Sequence, residues 1–157
     1  MIVATGHVHL AHDECAELGA LQRDGKIRVV GAIRQVAYPE AAVLQVRRIE
    51  AGEGVGYNAT FIAPRPMRAG VIALGYADGY LRCHAGQGGA TWRARELPLV
   101  GRVSMDLIAF DASDADGLSE GDWFALDYDL PSTALRSGLS QYELLTGLGV
   151  RFERHWM

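Results

Sequence analysis

Leu74-Gly75-Tyr76-Ala77-Asp78-Gly79-Tyr80 is the stretch around which the chain reads. A short apolar run, Val71-Ile72-Ala73-Leu74, leads straight into Gly75. A tyrosine follows, and then an Asp-Gly pair, which is a turn signal. Strand, glycine, aromatic hydroxyl and turn together predict a phenol presented at the rim of a β-sheet. A second block, Pro98-Leu99-Val100-Gly101-Arg102-Val103-Ser104-Met105-Asp106, is again a strand that ends in polar residues.

Outward from these blocks the pattern is mainly β. Lys26–Val36 and Ala41–Ile49 read as strands separated by a break at Tyr38-Pro39. Val55, Tyr57, Ala59 and Phe61 alternate and predict one face of a further strand. Arg68–Leu74 reads as a central strand, and Leu97–Ser104, Leu107–Phe110, Trp123–Tyr128 and Val150–Trp156 continue the series. Residues 111–122 form an acidic, solvated connection. Ser140-Gln141-Tyr142-Glu143 is a capping box that opens one short C-terminal helix near 140–148, with Leu144, Leu145 and Leu148 as its apolar face. Residues 1–35 differ in character and are expected to form an N-terminal extension. A strand within Met1–Val8 and a helix over Ala11–Gln22, stopped by Asp24-Gly25, are expected there. Residues 36–157 are expected to form a single β domain, a small barrel or sandwich.

The chain has 157 residues, 49% hydrophobic and 22% charged, enough for one domain with a real core. A net charge of −4 disfavours a nucleic-acid or anionic-membrane surface. No apolar run is long enough to span a bilayer, and no basic-then-apolar stretch opens the sequence as a secretory leader would. Cys15 and Cys83 set up no disulfide framework and point to a reducing cytoplasm. Lys26 is the only lysine, so chemistry that needs a lysine must use it or a lysine of another chain.

Several residues are candidates for chemistry. A phenol ionises near pH ~10, so Tyr76 acting as a base needs a cation or a water-poor site beside it. Arg82 and Arg102 are the candidates for that cation. The Met105 backbone amide, in a loop between two strands, is placed to bind a carboxylate, and Asp106 to orient the loop. Tyr142 sits at the second position of the capped helix, where its hydroxyl can meet an anion. His7, His9 and His12, with Asp13 and Cys15, are spaced as metal ligands could be.

Four blocks taken in order resemble one family. They are Val55-Gly56-Tyr57-Asn58-Ala59-Thr60, the Tyr76 stretch, Gly101-Arg102-Val103-Ser104-Met105-Asp106, and Ser140-Gln141-Tyr142-Glu143-Leu144-Leu145. Their order and spacing are similar to the C-terminal domain of alanine racemase over roughly residues 36–157. The resemblance implies a closed Greek-key β-barrel, attached in the family to an N-terminal (β/α)8 barrel that holds pyridoxal phosphate on a lysine. It implies a head-to-tail homodimer in which the β domain of one subunit completes the site of the other. It also implies roles. Tyr76 matches the base that exchanges the Cα proton on the L-alanine side, and Met105 the amide that contacts the substrate carboxylate. Tyr142 matches a tyrosine that binds the cofactor phosphate, while Asp106 is structural. Departures are clear: Asn58 stands where the family usually has glycine, and nothing here matches the family's lysine-bearing stretch. Three functions follow as expectations. The chain is the tyrosine half of a racemase, inactive alone; or a non-catalytic dimerisation or small-ligand module; or a metal-dependent protein built on the N-terminal histidines. Dimerisation is expected through exposed apolar rim residues such as Tyr80, Leu81 and Trp92.

Overall fold

The computed structural model describes residues 6–10, 20–23, 26–29 and 36–156. In chain order the strands are β1 (Gly6–Leu10), β2 (Ala20–Arg23), β3 (Lys26–Val29), β4 (Ala37–Ile49), β5 (Gly54–Val55) and β6 (Phe61–Ile62). Then come β7 (Met67–Ile72), β8 (Gly89–Trp92), β9 (Arg95–Val100), β10 (Ile108–Asp111) and β11 (Trp123–Leu126). Helices α1 (Leu130–Ser137) and α2 (Gln141–Gly147) precede the last strand, β12 (Phe152–Trp156).

Six strands close into the expected Greek-key barrel. Around the ring the order is β4, β7, β10, β9, β8, β11 and back to β4, every neighbour antiparallel. β8, β9 and β10 run as a meander and β11 returns beside β8, which is the Greek-key order. β4 is the hub: residues 37–41 pair with β1, residues 40–42 with β11 and residues 43–49 with β7. A bulge between Val43 and Gln45 bends it from one set of partners to the next. β1 also runs parallel to β12, so the barrel sheet includes a strand from residues 1–35.

Alternation drives the packing. Ala37, Pro39, Ala41 and Val43 point inward along the first half of β4. The interior is sealed by Ile72, Leu97, Ile108, Phe110 and Phe124, with the two phenylalanine rings edge to face at 5.7 Å. The β5–β6 hairpin caps a second, smaller core on the outer wall, made from Ile49, Val55, Met67, Ala69, Val100 and Ala109.

The structure departs from the sequence reading at definite points. Tyr38-Pro39 is no break: Pro39 lies inside β4, one residue beyond the last β11 pairing, where a missing N–H is tolerated. Val55–Phe61 is not one strand. Gly56, Asn58 and Ala59 take positive φ of 78°, 59° and 47°, turning the chain into a hairpin. Asn58 thus occupies the left-handed region that asparagine tolerates best after glycine. Ala20–Arg23, expected as the end of a helix, is a strand that pairs with Lys26–Val29 across the Asp24-Gly25 step; the rest of the expected helix lies outside the described residues. Tyr80 and Trp92 are buried and Leu81 is half-buried against the core, so these three are not the exposed apolar rim expected to drive association. His7 and His9 fall within β1, His12 and Cys15 lie outside the described residues, and no cluster of three metal-ligating residues occurs among the described ones.

Two helices stand where one was expected. The Ser140 capping box of α2 is present: Glu143 N–H donates to Ser140 Oγ at 3.2 Å, and Ser140 N–H to Glu143 Oε2 at 2.8 Å. The additional helix, α1, is capped by Asp129, whose carboxylate accepts from the Ser132 N–H at 2.9 Å and from the Ser132 hydroxyl. These bonds, hydroxyl first, hold the Asp129 carboxyl below its ordinary range. Asp129→Ala is expected to cost about 1 kcal/mol at pH 7, read by urea denaturation. Because the cap works as a carboxylate, the gap between wild type and variant should close as pH falls below ~3.9. A gap that persists at low pH would assign the effect to something other than the cap.

Candidate active site

Three loops converge at one rim of the barrel. The first leaves β7 through Ala73-Leu74-Gly75 and makes a 3-10 turn over Tyr76–Asp78. The second joins β9 to β10 and carries Met105. The third runs from the end of α2 to Arg151. The first two are locked by backbone bonds: Tyr76 N–H donates to Ser104 C=O at 3.0 Å, and Ala77 N–H to Met105 C=O at 3.1 Å. The approach is close enough to require glycine, because a Cβ at Gly75 would strike the Met105 carbonyl. Tyr76 and Met105 therefore share a rim on adjacent loops.

Asp78 is the anchor of this arrangement. It is 1% exposed, and its carboxylate accepts from the Gly75 N–H at 3.0 Å and from Arg151 Nε at 2.6 Å. Arg151 uses its other edge on Asp106, Nη1 to Oδ1, also at 2.6 Å. One guanidinium thus ties the Tyr76 loop to the Met105 loop. The third loop is held as tightly: Gly149 N–H donates to Asp78 C=O at 3.0 Å, and Gly79, at φ +93°, abuts Gly147. The Tyr128 hydroxyl bridges Gly79 C=O and Leu144 C=O at 3.4 and 3.3 Å, joining α2 to the same assembly. Burial pushes the Asp78 carboxyl up from its ordinary value, opposed by the Gly75 N–H and the Arg151 guanidinium. Arg151 is in turn held charged, chiefly by Asp106.

The exposed side of the rim carries the candidate groups. Tyr76 packs its ring against the core and lies partly open. The Arg82 guanidinium sits 4.5 Å over that ring, a cation–π contact. Arg82 and Arg102 line a cleft of about 280 Å³ with Tyr57, Ala85 and Val103, so both expected cations are near the rim, with Arg82 on the ring itself. Met105 is 53% exposed, and its N–H donates to no described residue. Tyr142 stands at the second position of α2 and is 39% exposed.

Sequence reasoning did not find Arg151. Its partners lie 73 and 45 residues away, and no local pattern marks the pairing. Arg151→Met is expected to cost about 2 kcal/mol in urea denaturation. That is below the usual cost of breaking a buried pair, because the Arg151 and Asp106 side chains are 29% and 40% exposed. A change under ~0.5 kcal/mol would mean that the ion pair does not hold the loops.

Comparison with known proteins places these features in one lineage. A profile of the alanine racemase C-terminal domain matches residues 36–156. The alanine racemase of Acidiphilium cryptum is 42% identical over 117 residues, covering 73% of this chain and 33% of the relative. That of Methylobacterium nodulans is 40% identical over 130 residues, covering 80% of this chain and 35% of the relative. Among solved structures, the Bartonella henselae alanine racemase with covalently bound pyridoxal phosphate superposes with a TM-score of 0.71. It is 37% identical, over 80% of this chain and 36% of that one. The biosynthetic alanine racemase of Pseudomonas aeruginosa gives a TM-score of 0.69 at 34% identity, with the same coverage. The chain thus spans about a third of the length of the curated relatives it matches. By its barrel, by the loops that close its rim and by these matches, the chain belongs to the alanine racemase C-terminal domain family.

Proposed function

We propose that this chain supplies the tyrosine face of a pyridoxal-phosphate-dependent amino-acid racemase site, interconverting L- and D-alanine when paired with a lysine-bearing barrel domain. The observation that supports this most is the fixed juxtaposition of Tyr76 with the free Met105 amide on one rim. A base and a carboxylate-binding N–H at fixed separation are what an amino acid needs to be held by its carboxylate while its Cα proton is exchanged. Tyr76 carries that proton on the L side, Arg82 fixes and polarises its ring, and Arg151 with Asp78 and Asp106 keeps the two loops in register.

By itself the chain does not fit the cofactor. Residues 36–157 hold no lysine, and Lys26 lies on β3, which among the described residues pairs with β2 and with no barrel strand. Tyr142 offers one hydroxyl for the phosphate. The lysine and the remaining phosphate contacts then belong to a companion domain, as a separate barrel or within a homodimer of longer subunits. When bound there, the cofactor's ring delocalises the negative charge left on Cα. We place this work in the cytoplasm, where Cys83, a free thiol, stays reduced. No helix among the described residues is long and apolar enough to cross a membrane.

The test is complementation. The chain is mixed with the separately expressed N-terminal barrel of a relative such as the Acidiphilium cryptum enzyme, and with pyridoxal phosphate. L-to-D conversion and exchange of the Cα proton with D2O are expected from the mixture, and neither from the chain alone. If the isolated chain binds the cofactor with a visible band and racemises alanine, and Lys26→Ala abolishes both, it is a complete minimal racemase and the half-site reading fails. If the mixture stays inactive while the two parts demonstrably associate, the chain is a non-catalytic dimerisation or small-ligand module.

A further inference from the structure

A second cavity, of about 320 Å³, lies on the outer wall of the barrel beneath the β5–β6 hairpin. Its floor is apolar and fixed: Ile49, Val55, Ala69 and Ala109 are all buried. Two of those floor positions are alanines, and their short side chains leave the space. One wall is the Ser104–Leu107 turn, pinned by Ser104 Oγ, which donates to Leu107 C=O at 2.7 Å and accepts from Leu107 N–H at 3.1 Å. Two guanidinium groups, Arg47 and Arg102, line the cavity, and among the described residues no carboxylate does. Among the described residues Arg102 forms no ion pair, and Arg47 reaches Glu53 only at 4.0 Å, with both side chains about half exposed.

This composition is selective. The volume is at the small end of ligand pockets, which run from ~300 to ~1,000 Å³, so a folded partner or long peptide does not enter. An apolar floor favours a compact hydrocarbon body, and two guanidinium groups, only one of them loosely paired, favour a single anionic head. We infer that this cavity binds a small organic carboxylate, its apolar body against Ile49 and Val55 and its carboxylate between Arg47 and Arg102. The cavity adjoins the cleft at the Tyr76 rim, with Tyr57 and Arg102 lining both, but the inference does not rest on the racemase reading. The Ser104–Leu107 turn that walls the cavity also carries Met105.

The test uses the isolated chain and three probes: 3-phenylpropanoate, its uncharged amide, and acetate. Backbone amide NMR shifts are followed on titration. The acid should move the resonances of Val55, Ala69, Arg102 and Ser104 in a saturable way. The amide and acetate should each bind at least ~tenfold more weakly, one lacking the charge and the other the body. Arg102→Gln, checked for folding by its spectrum, should weaken the acid by a similar factor. Equal binding of acid and amide overturns the inference without any variant. So does a shift pattern that maps elsewhere, or one that follows protein concentration instead of probe and so reports a second copy of the chain in the groove.

Discussion

Tyr76→Phe, in the chain paired with a lysine-bearing barrel, is expected to slow L-to-D conversion by at least ~100-fold, and up to ~10,000-fold, the range for loss of a positioned acid–base group. This corresponds to about 3 to 5 kcal/mol of barrier. The substitution is unusually clean. The ring's packing against the core and its stacking beneath Arg82 belong to the carbons, and phenylalanine keeps them. Only the hydroxyl is removed, so stability in urea should change by no more than ~0.5 kcal/mol. The cofactor's visible absorbance in the pair should also stay. Proton exchange from L-alanine should disappear while exchange from D-alanine, served from the opposite face, survives. A variant that exchanges both enantiomers at the wild-type rate would remove Tyr76 from the mechanism.

The second large effect is acid instability centred on His84. This side chain is fully buried, its ring stacked on Tyr80 at 4.1 Å with the Tyr128 ring at 6.0 Å. Neither ring nitrogen has a hydrogen-bond partner among the described residues. Burial first, then the Arg136 charge, push its pKa down from 6.5 to about 4, against a smaller pull upward from Asp127. In the unfolded chain the same imidazole takes up its proton near pH 6.5. Between those values the unfolded state binds a proton that the folded state refuses, so stability falls as pH falls through that window and levels off below it. The whole span is worth about 3 kcal/mol. Urea denaturation at pH 7 and at pH 4.5 measures it, and His84→Leu should remove most of the difference while costing little at pH 7. Parallel pH curves for wild type and variant would mean that other groups carry the acid response.

What the sequence made legible was local and repetitive. The strand that runs into Gly75, the polar loop at Met105 and the Ser140 capping box all depend on neighbours along the chain, and all are where their residues predict. The failures share a different cause. Pro39 breaks a strand by the local rule, but β4 holds it at the limit of the β11 ladder, so tertiary pairing overrides the rule. The alternation at Val55–Phe61 has the right period for a strand; three positive-φ positions, Gly56, Asn58 and Ala59, invisible to hydrophobic periodicity, fold it back. α1 had its signals, Asp129 as cap and Pro131 in the first turn, but Leu135 is 87% exposed and blurs the apolar stripe. Arg151 was out of reach for the plainest reason: an ion pair between distant residues leaves no mark on either segment.

The seam between β4 and β11 has a consequence for how the barrel comes into being. These are the first and the last strands of the ring in chain order, and they meet at Ala41 and Phe124. During synthesis no ring can close until Trp123–Leu126 have left the ribosome. Every shorter nascent length therefore presents two unpaired edges, each a template for another chain. Closure also depends on a contact of long sequence separation, which places such barrels among slow folders. The yield of native protein is thus set by a race between ring closure and edge-to-edge pairing, and conditions that slow translation or dilute the nascent chains favour the ring.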